Sequence, residues 1–201
     1  MGDQMMSNEL NLFFVFLSAM IVNNILLMRF LALCSFFGIS NNIKTSFGMG
    51  LAVIFVMITA SAISWTIYNF VLVPFDLLYL RTACFILTIA TFVQLEEMAI
   101  RKFFPALYRA MGIYLPLIVV NCAVLGTAFL IIDYELDFIR SLVYTLGVGA
   151  GYFFSIVVFA AIRDRIALAP ISKSFQGYPI AFVTASLMSL AFLGFKGLFG
   201  L

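Results

Sequence analysis

The chain has 201 residues, 65% hydrophobic and only 10% charged, against about 25% charged in a soluble domain, and its mean hydropathy of +1.17 marks an integral membrane protein. It has no histidine, which excludes a histidine-ligated haem, a His-rich metal site and any Ser/His/Asp or Cys/His catalytic set within the chain. A net charge of +2 gives no case for nucleic acid, and three cysteines do not make a disulfide framework.

Residues 1–9 read as a polar N-terminal extension carrying Asp3. It lacks the basic start and small-residue cleavage site of a signal peptide, so the first apolar segment is expected to be retained as a membrane helix. Residues 10–201 read as a single membrane domain. Six apolar segments follow one another at about 10–34, 46–70, 78–98, 111–132, 141–162 and 178–199, each near the ~20 residues that a spanning helix needs. The fold class expected is all-α, with six transmembrane helices.

The first segment carries Asn23-Asn24 and then Arg29-Phe-Leu-Ala-Leu-Cys34, with Gly38 four residues beyond. The fourth repeats this partly: Pro116, Asn121-Cys122 and Gly126 lie in an otherwise apolar run. Polar groups and helix breakers are most costly inside a bilayer, so these two segments are where interruptions are expected. The echo predicts two three-helix repeats, at about 10–98 and 111–199. Three is odd, so the second copy is inverted, an arrangement that places sites near the midplane on interrupted helices. A straight helix would put Cys122 about 16 Å deep but carry Cys34 about 36 Å, to the far edge. If the two share a site, the first segment is not a simple straight span: an interruption at Asn23-Asn24 is the expected cause, and steep tilt or a later helix start would also reconcile the depths.

Gly48-Met-Gly50 opens the second segment, and the fifth contains Gly147-Val-Gly149-Ala-Gly151. Small residues inside apolar spans predict close helix contact; with no strand before them they do not read as a phosphate loop. Basic residues set orientation. Arg81, Arg140 and Lys196 fall on the starting side; Lys44, Arg101, Lys102, Arg109, Arg163, Arg165 and Lys173 fall on the other, with Arg29 assigned there too. This predicts both termini outside the cytoplasm.

Cys34 and Cys122 are the candidate ligands. Cysteine is also a small apolar residue common in buried positions. Their shared Cys-x-x-x-Gly frame and polar neighbours favour a site, whereas Cys84, without that frame, reads as packing. Thiolate ligation of iron suits a buried site, because the metal offsets the buried charge. Two cysteines are half of an iron–sulfur ligand set, so a partner would supply the rest. Glu96 and Glu97 end the third segment before Arg101-Lys102; they read as an interfacial ion-pair cluster, with an ion-path carboxylate as the alternative.

Val22-Asn-Asn24, Phe30-Leu-Ala-Leu-Cys34, Gly48-Met-Gly50, Leu80-Arg-Thr82, Glu97-Met98, Pro105-Ala-Leu-Tyr-Arg109, Gly112-Ile-Tyr-Leu-Pro-Leu-Ile, Val120-Asn-Cys-Ala-Val-Leu-Gly126 and Phe159-Ala-Ala-Ile-Arg163 together resemble the A-type subunits of the Rnf (Rsx) electron-transport complexes. They are also similar to the E-type subunits of the sodium-translocating NADH:quinone oxidoreductases. Asn23, Leu80-Arg81-Thr82 and Gly126-Thr-Ala-Phe-Leu favour the Rnf A type. The resemblance implies a bacterial or archaeal cytoplasmic-membrane protein that works within a larger complex and is not catalytic alone. That complex would pass electrons between reduced ferredoxin and NAD, coupled to Na⁺ or H⁺ movement. The resemblance implies a [2Fe–2S] cluster held with a homologous, inverted E-type partner, with Cys34 and Cys122 as this chain's ligands. It further implies B-, C-, D- and G-type partners. The competing classes are a small secondary transporter without a redox centre and a purely structural assembly protein.

Overall fold

The computed structural model describes residues 12–40, 42–74, 78–103, 121–170 and 175–198. Among these the regular structure is entirely helical. In order the helices are α1 (Leu12–Val22), α2 (Ile25–Arg29), α3 (Leu33–Ile39), α4 (Ile43–Leu72), α5 (Arg81–Phe103), α6 (Cys122–Asp133), α7 (Phe138–Ala167) and α8 (Tyr178–Leu198). α1 and α4 each end in a π-helical turn, Ser18–Val22 and Tyr68–Leu72.

α4 and α7 are long and apolar enough to cross a membrane. At 30 residues each, they are about 45 Å long. They pack on each other more extensively than any other pair of elements. The bundle has two ends. At one, Arg81 at the start of α5 pairs with Asp133 at the end of α6 at 2.9 Å, and the Trp65 indole donates to the Leu136 carbonyl at 3.0 Å. At the other, Arg163 near the end of α7 donates to the Phe37 carbonyl at 3.1 Å and to Ser40 Oγ at 2.7 Å.

The glycines of α7 face two ways. A Cβ on Gly147 would stand 2.7 Å from the Phe16 carbonyl oxygen, and one on Gly151 2.6 Å from that of Met20. α1 therefore lies with its backbone against the Gly147/Gly151 stripe, the small-xxx-small spacing of close helix crossings. Gly149 looks the other way, where its Cβ would meet the Ile54 side chain at 3.0 Å. A side chain shifts more easily than a carbonyl. Gly151→Ala is thus expected to destabilise by about 1–3 kcal/mol, and Gly149→Ala by clearly less. Gly149→Leu is expected to disturb the α4–α7 contact. Thermal melting of the solubilised complex checks this order; equal melting of Gly151→Ala and Gly149→Ala would contradict it.

The first segment departs from a straight span more than expected. It breaks at Asn23-Asn24, as the sequence predicts, and again at Phe30–Ala32. At the second break Phe30 (φ 54°) and Ala32 (φ 66°) both take left-handed conformations. α1 descends to the middle of α7, where Asn24 meets Gly151 and Ser155. α2 then turns back: Arg29 at its end donates to Tyr134 Oη at 3.0 Å, beside the Asp133 end. α3 resumes the descent to Ser40 and Arg163. The assignment of Arg29 to the far side is therefore corrected: the reversal carries it toward the starting side. Seven basic residues against four remain, so the bias keeps its direction. The first half of the fourth segment, with Pro116, lies outside the described residues.

Candidate functional site

Freed backbone groups in a bilayer interior must find partners within the protein. Asn24 supplies them at the first break. Its Oδ1 accepts from the Leu26 and Leu27 amides at 3.1 and 3.3 Å, capping α2. Its Nδ2 donates to the Met20 and Gly151 carbonyls and to Ser155 Oγ, at 3.3, 3.0 and 2.9 Å. Ser189 Oγ of α8 donates to the Leu27 carbonyl at 2.7 Å. At the second break Ser35 Oγ donates to the Ala32 carbonyl at 2.9 Å, closing the left-handed turn.

α3 is held along α7 at successive turns. Tyr152 Oη lies 2.9 Å from Ser35 Oγ. Phe36 stacks on Phe159 with ring centroids 4.0 Å apart. Arg163 takes the Phe37 carbonyl and Ser40. The spacing from 152 to 159 to 163 is one face of a helix. This presents Cys34, in the first turn of α3, at the protein surface.

Cys122 is the first residue of α6, and Asn121 caps that helix through Oδ1, which accepts from the Ala123 amide at 3.0 Å. α6 ends at Asp133, so Cys122 lies about 17 Å from that end of the bundle. Gly126, one turn along, stands where a Cβ would come within 2.7 Å of Leu31 Cδ1. It thus admits the α2–α3 turn against α6. Gly126 and Gly38 both lie inside regular helix; at Gly126 the role of the glycine is close approach.

The structure brings Cys34 and Cys122 together: both side chains are exposed, and they lie close enough to interact directly. Each sits in the first turn of its helix, Cys34 second in α3 and Cys122 first in α6. Among the described residues no third Cys, Asp or Glu joins them to make a metal-holding group. Cys84, half-exposed on α5, neighbours Phe85, which is buried against Phe129. Glu96 and Glu97 lie on α5; Glu96 is half-buried beside Thr59 of α4, with one carboxylate oxygen buried and without a hydrogen-bond partner among the described residues.

Soft sulfur ligands select iron–sulfur clusters, zinc or copper(I). Two exposed, mutually facing thiols fit half of a four-sulfur set whose other half comes from outside the chain. Sequence reasoning missed Ser35 and Tyr152 behind the pair. The only signal for either was a hydroxyl in an apolar helix.

Fold and site together define a helical membrane protein that presents a cysteine pair at the starts of two helices. The chain belongs to the Rnf-Nqr family of membrane proteins, whose model matches residues 12–199. It is similar to proteins of several bacteria that bear the name of the A-type component of the ion-translocating oxidoreductase complex. That of Photorhabdus laumondii is 50% identical over 186 residues, 92% of this chain and 96% of that protein. That of Proteus mirabilis is 52% identical over 184 residues, 92% and 95% of the two chains. That of Syntrophotalea carbinolica is 48% identical over 188 residues, 94% and 97%.

Proposed function

We propose that this chain is the A-type membrane component of an ion-translocating ferredoxin:NAD oxidoreductase, and that Cys34 and Cys122 hold one side of a [2Fe–2S] cluster shared with a homologous, inverted partner. The observation that carries this reading is the facing, exposed cysteine pair with no third ligand among the described residues. The family and the names of its relatives support the wider assignment.

Such a cluster supplies one-electron transfer when bound. This chain's residues do the rest. Asn24 and Asn121 satisfy the amides freed at the broken helices, so the two segments can stop at mid-membrane depth. α7 fixes α3 so that Cys34 faces Cys122. The apolar face around the pair excludes water once a partner covers it, which limits stray oxidation of the thiolates. We read the whole as six spans in two inverted repeats. Purified complex carrying both Cys34→Ser and Cys122→Ser is expected to lose about two iron atoms. Unchanged iron content would argue for a transporter or a structural role.

The orientation follows from the basic bias: both termini face outside the cytoplasm, and the loop at 166–176 faces inside. A reporter fused after Leu201 is expected to report an external position, and one within 166–176 a cytoplasmic one. A cytoplasmic signal at Leu201 would overturn the topology.

A further inference from the structure

We infer that Tyr152 is a positioning residue for the cysteine pair, its buried hydroxyl tying the start of the Cys34 helix to α7. The inference rests on the reading of the pair as half of a cluster site.

Tyr152 is fully buried on α7. Phenylalanine would pack equally well in so apolar a helix, so the hydroxyl is the part that needs a partner. That partner is Ser35 Oγ, at 2.9 Å. A serine hydroxyl has one proton, and Ser35 already gives it to the Ala32 carbonyl at 2.9 Å. Tyr152 is therefore the donor and Ser35 the acceptor. The phenolic oxygen keeps its lone pairs for a donor of its own. Asn121 lies near it: its Oδ1 is taken by the Ala123 amide, and its buried Nδ2 has no hydrogen-bond partner among the described residues. The bonded series runs from the Tyr152 hydroxyl, to the Ser35 hydroxyl, to the Ala32 carbonyl.

Asn121 immediately precedes Cys122, and Ser35 immediately follows Cys34. Cys34 is thus one residue from the bonded series, and Cys122 one residue from the amide that lies near it. Ala32 is also the left-handed residue of the second break, a conformation that persists only when its surroundings hold it. Losing the Tyr152 hydroxyl frees the turn that presents Cys34 beside Cys122.

The test uses the whole complex in native membranes and follows the EPR signal that Cys122→Ser removes. Tyr152→Phe and Ser35→Ala are each expected to speed decay of that signal in an external iron chelator by about three- to tenfold. Both are expected to shift its midpoint potential in the same direction. The double variant is expected to do less than the sum of the two singles, because both changes break the Tyr152–Ser35 bond. Thr145→Val removes a buried hydroxyl on the same helix that bonds the Ser141 carbonyl; it is expected to change neither readout. If Tyr152→Phe does not assemble, Ser35→Ala reads the same bond from its other side. Unchanged decay and potential in Ser35→Ala, or additive effects of the pair, would overturn the inference while leaving the ligand assignment standing. A signal that survives Cys122→Ser would overturn the ligand assignment, and this inference with it.

Discussion

Replacing either Cys34 or Cys122 by serine is expected to stop electron flow through the complex, while Cys84→Ala leaves it within about twofold of the parent. The first two thiols lie within interacting distance at helix starts; the third lies on α5 and is not among the groups that act on Cys34. A serine hydroxyl is a far harder and less acidic ligand than a thiolate, so half the sulfur set cannot be replaced by oxygen without loss of the centre. Other components of the complex keep their own centres, so partial reactions that do not cross this chain are expected to continue. The assay is ferredoxin-driven reduction of NAD by membranes, beside a donor reaction confined to those other components. Loss of flow in Cys84→Ala, or full flow in Cys122→Ser, would contradict the assignment.

The second large effect is expected at Asn24. This fully buried side chain caps two amides of α2 and reaches three acceptors on α1 and α7. Removing a cap costs about 1 kcal/mol, and each buried donor left unsatisfied about 1–3 more. Asn24→Leu is therefore expected to destabilise the chain by at least about 3 kcal/mol, enough to prevent assembly. Asn24→Asp keeps the acceptor that caps α2 but sets a carboxylate oxygen against the Gly151 carbonyl; it is expected to fall between. Asn69→Leu removes an exposed amide that bonds only one turn back, to the Trp65 carbonyl at 3.1 Å, and is expected to change stability by less than about 0.5 kcal/mol. Yield and melting temperature of the solubilised complex measure all three. Normal assembly of Asn24→Leu would mean that the break at this residue is not held by its side chain.

Much of this site was legible because bilayer chemistry makes polar residues conspicuous. Asn23-Asn24 and Asn121 stood out in apolar runs, and Asn24 and Asn121 do cap new helix starts. The depth mismatch between the two cysteines argued against a straight first segment, with a break, a tilt or a later start as the ways out; the segment is broken. The second break was not legible. Phe30 and Ala32 are residues that any helix accepts, and their left-handed conformations are imposed by packing of the α2–α3 turn on α6, where Gly126 makes room for Leu31. Hence Arg29 was placed on the wrong side by counting residues along a straight path. The glycine run in α7 announced close contact, but not that Gly147 and Gly151 receive α1 while Gly149 receives α4. Tyr152 was hidden for a related reason. Its partner is 117 residues away in sequence, and nothing local distinguishes it from the aromatic residues around it.

The EPR spectrum of the intact complex, compared with that of Cys122→Ser, tests the central claim most directly. With the remaining components assembled and their own centres intact, the variant is expected to lack one [2Fe–2S] signal and to keep all the others. A Cys122→Ser spectrum superimposable on the parent's would show that this chain holds no such centre.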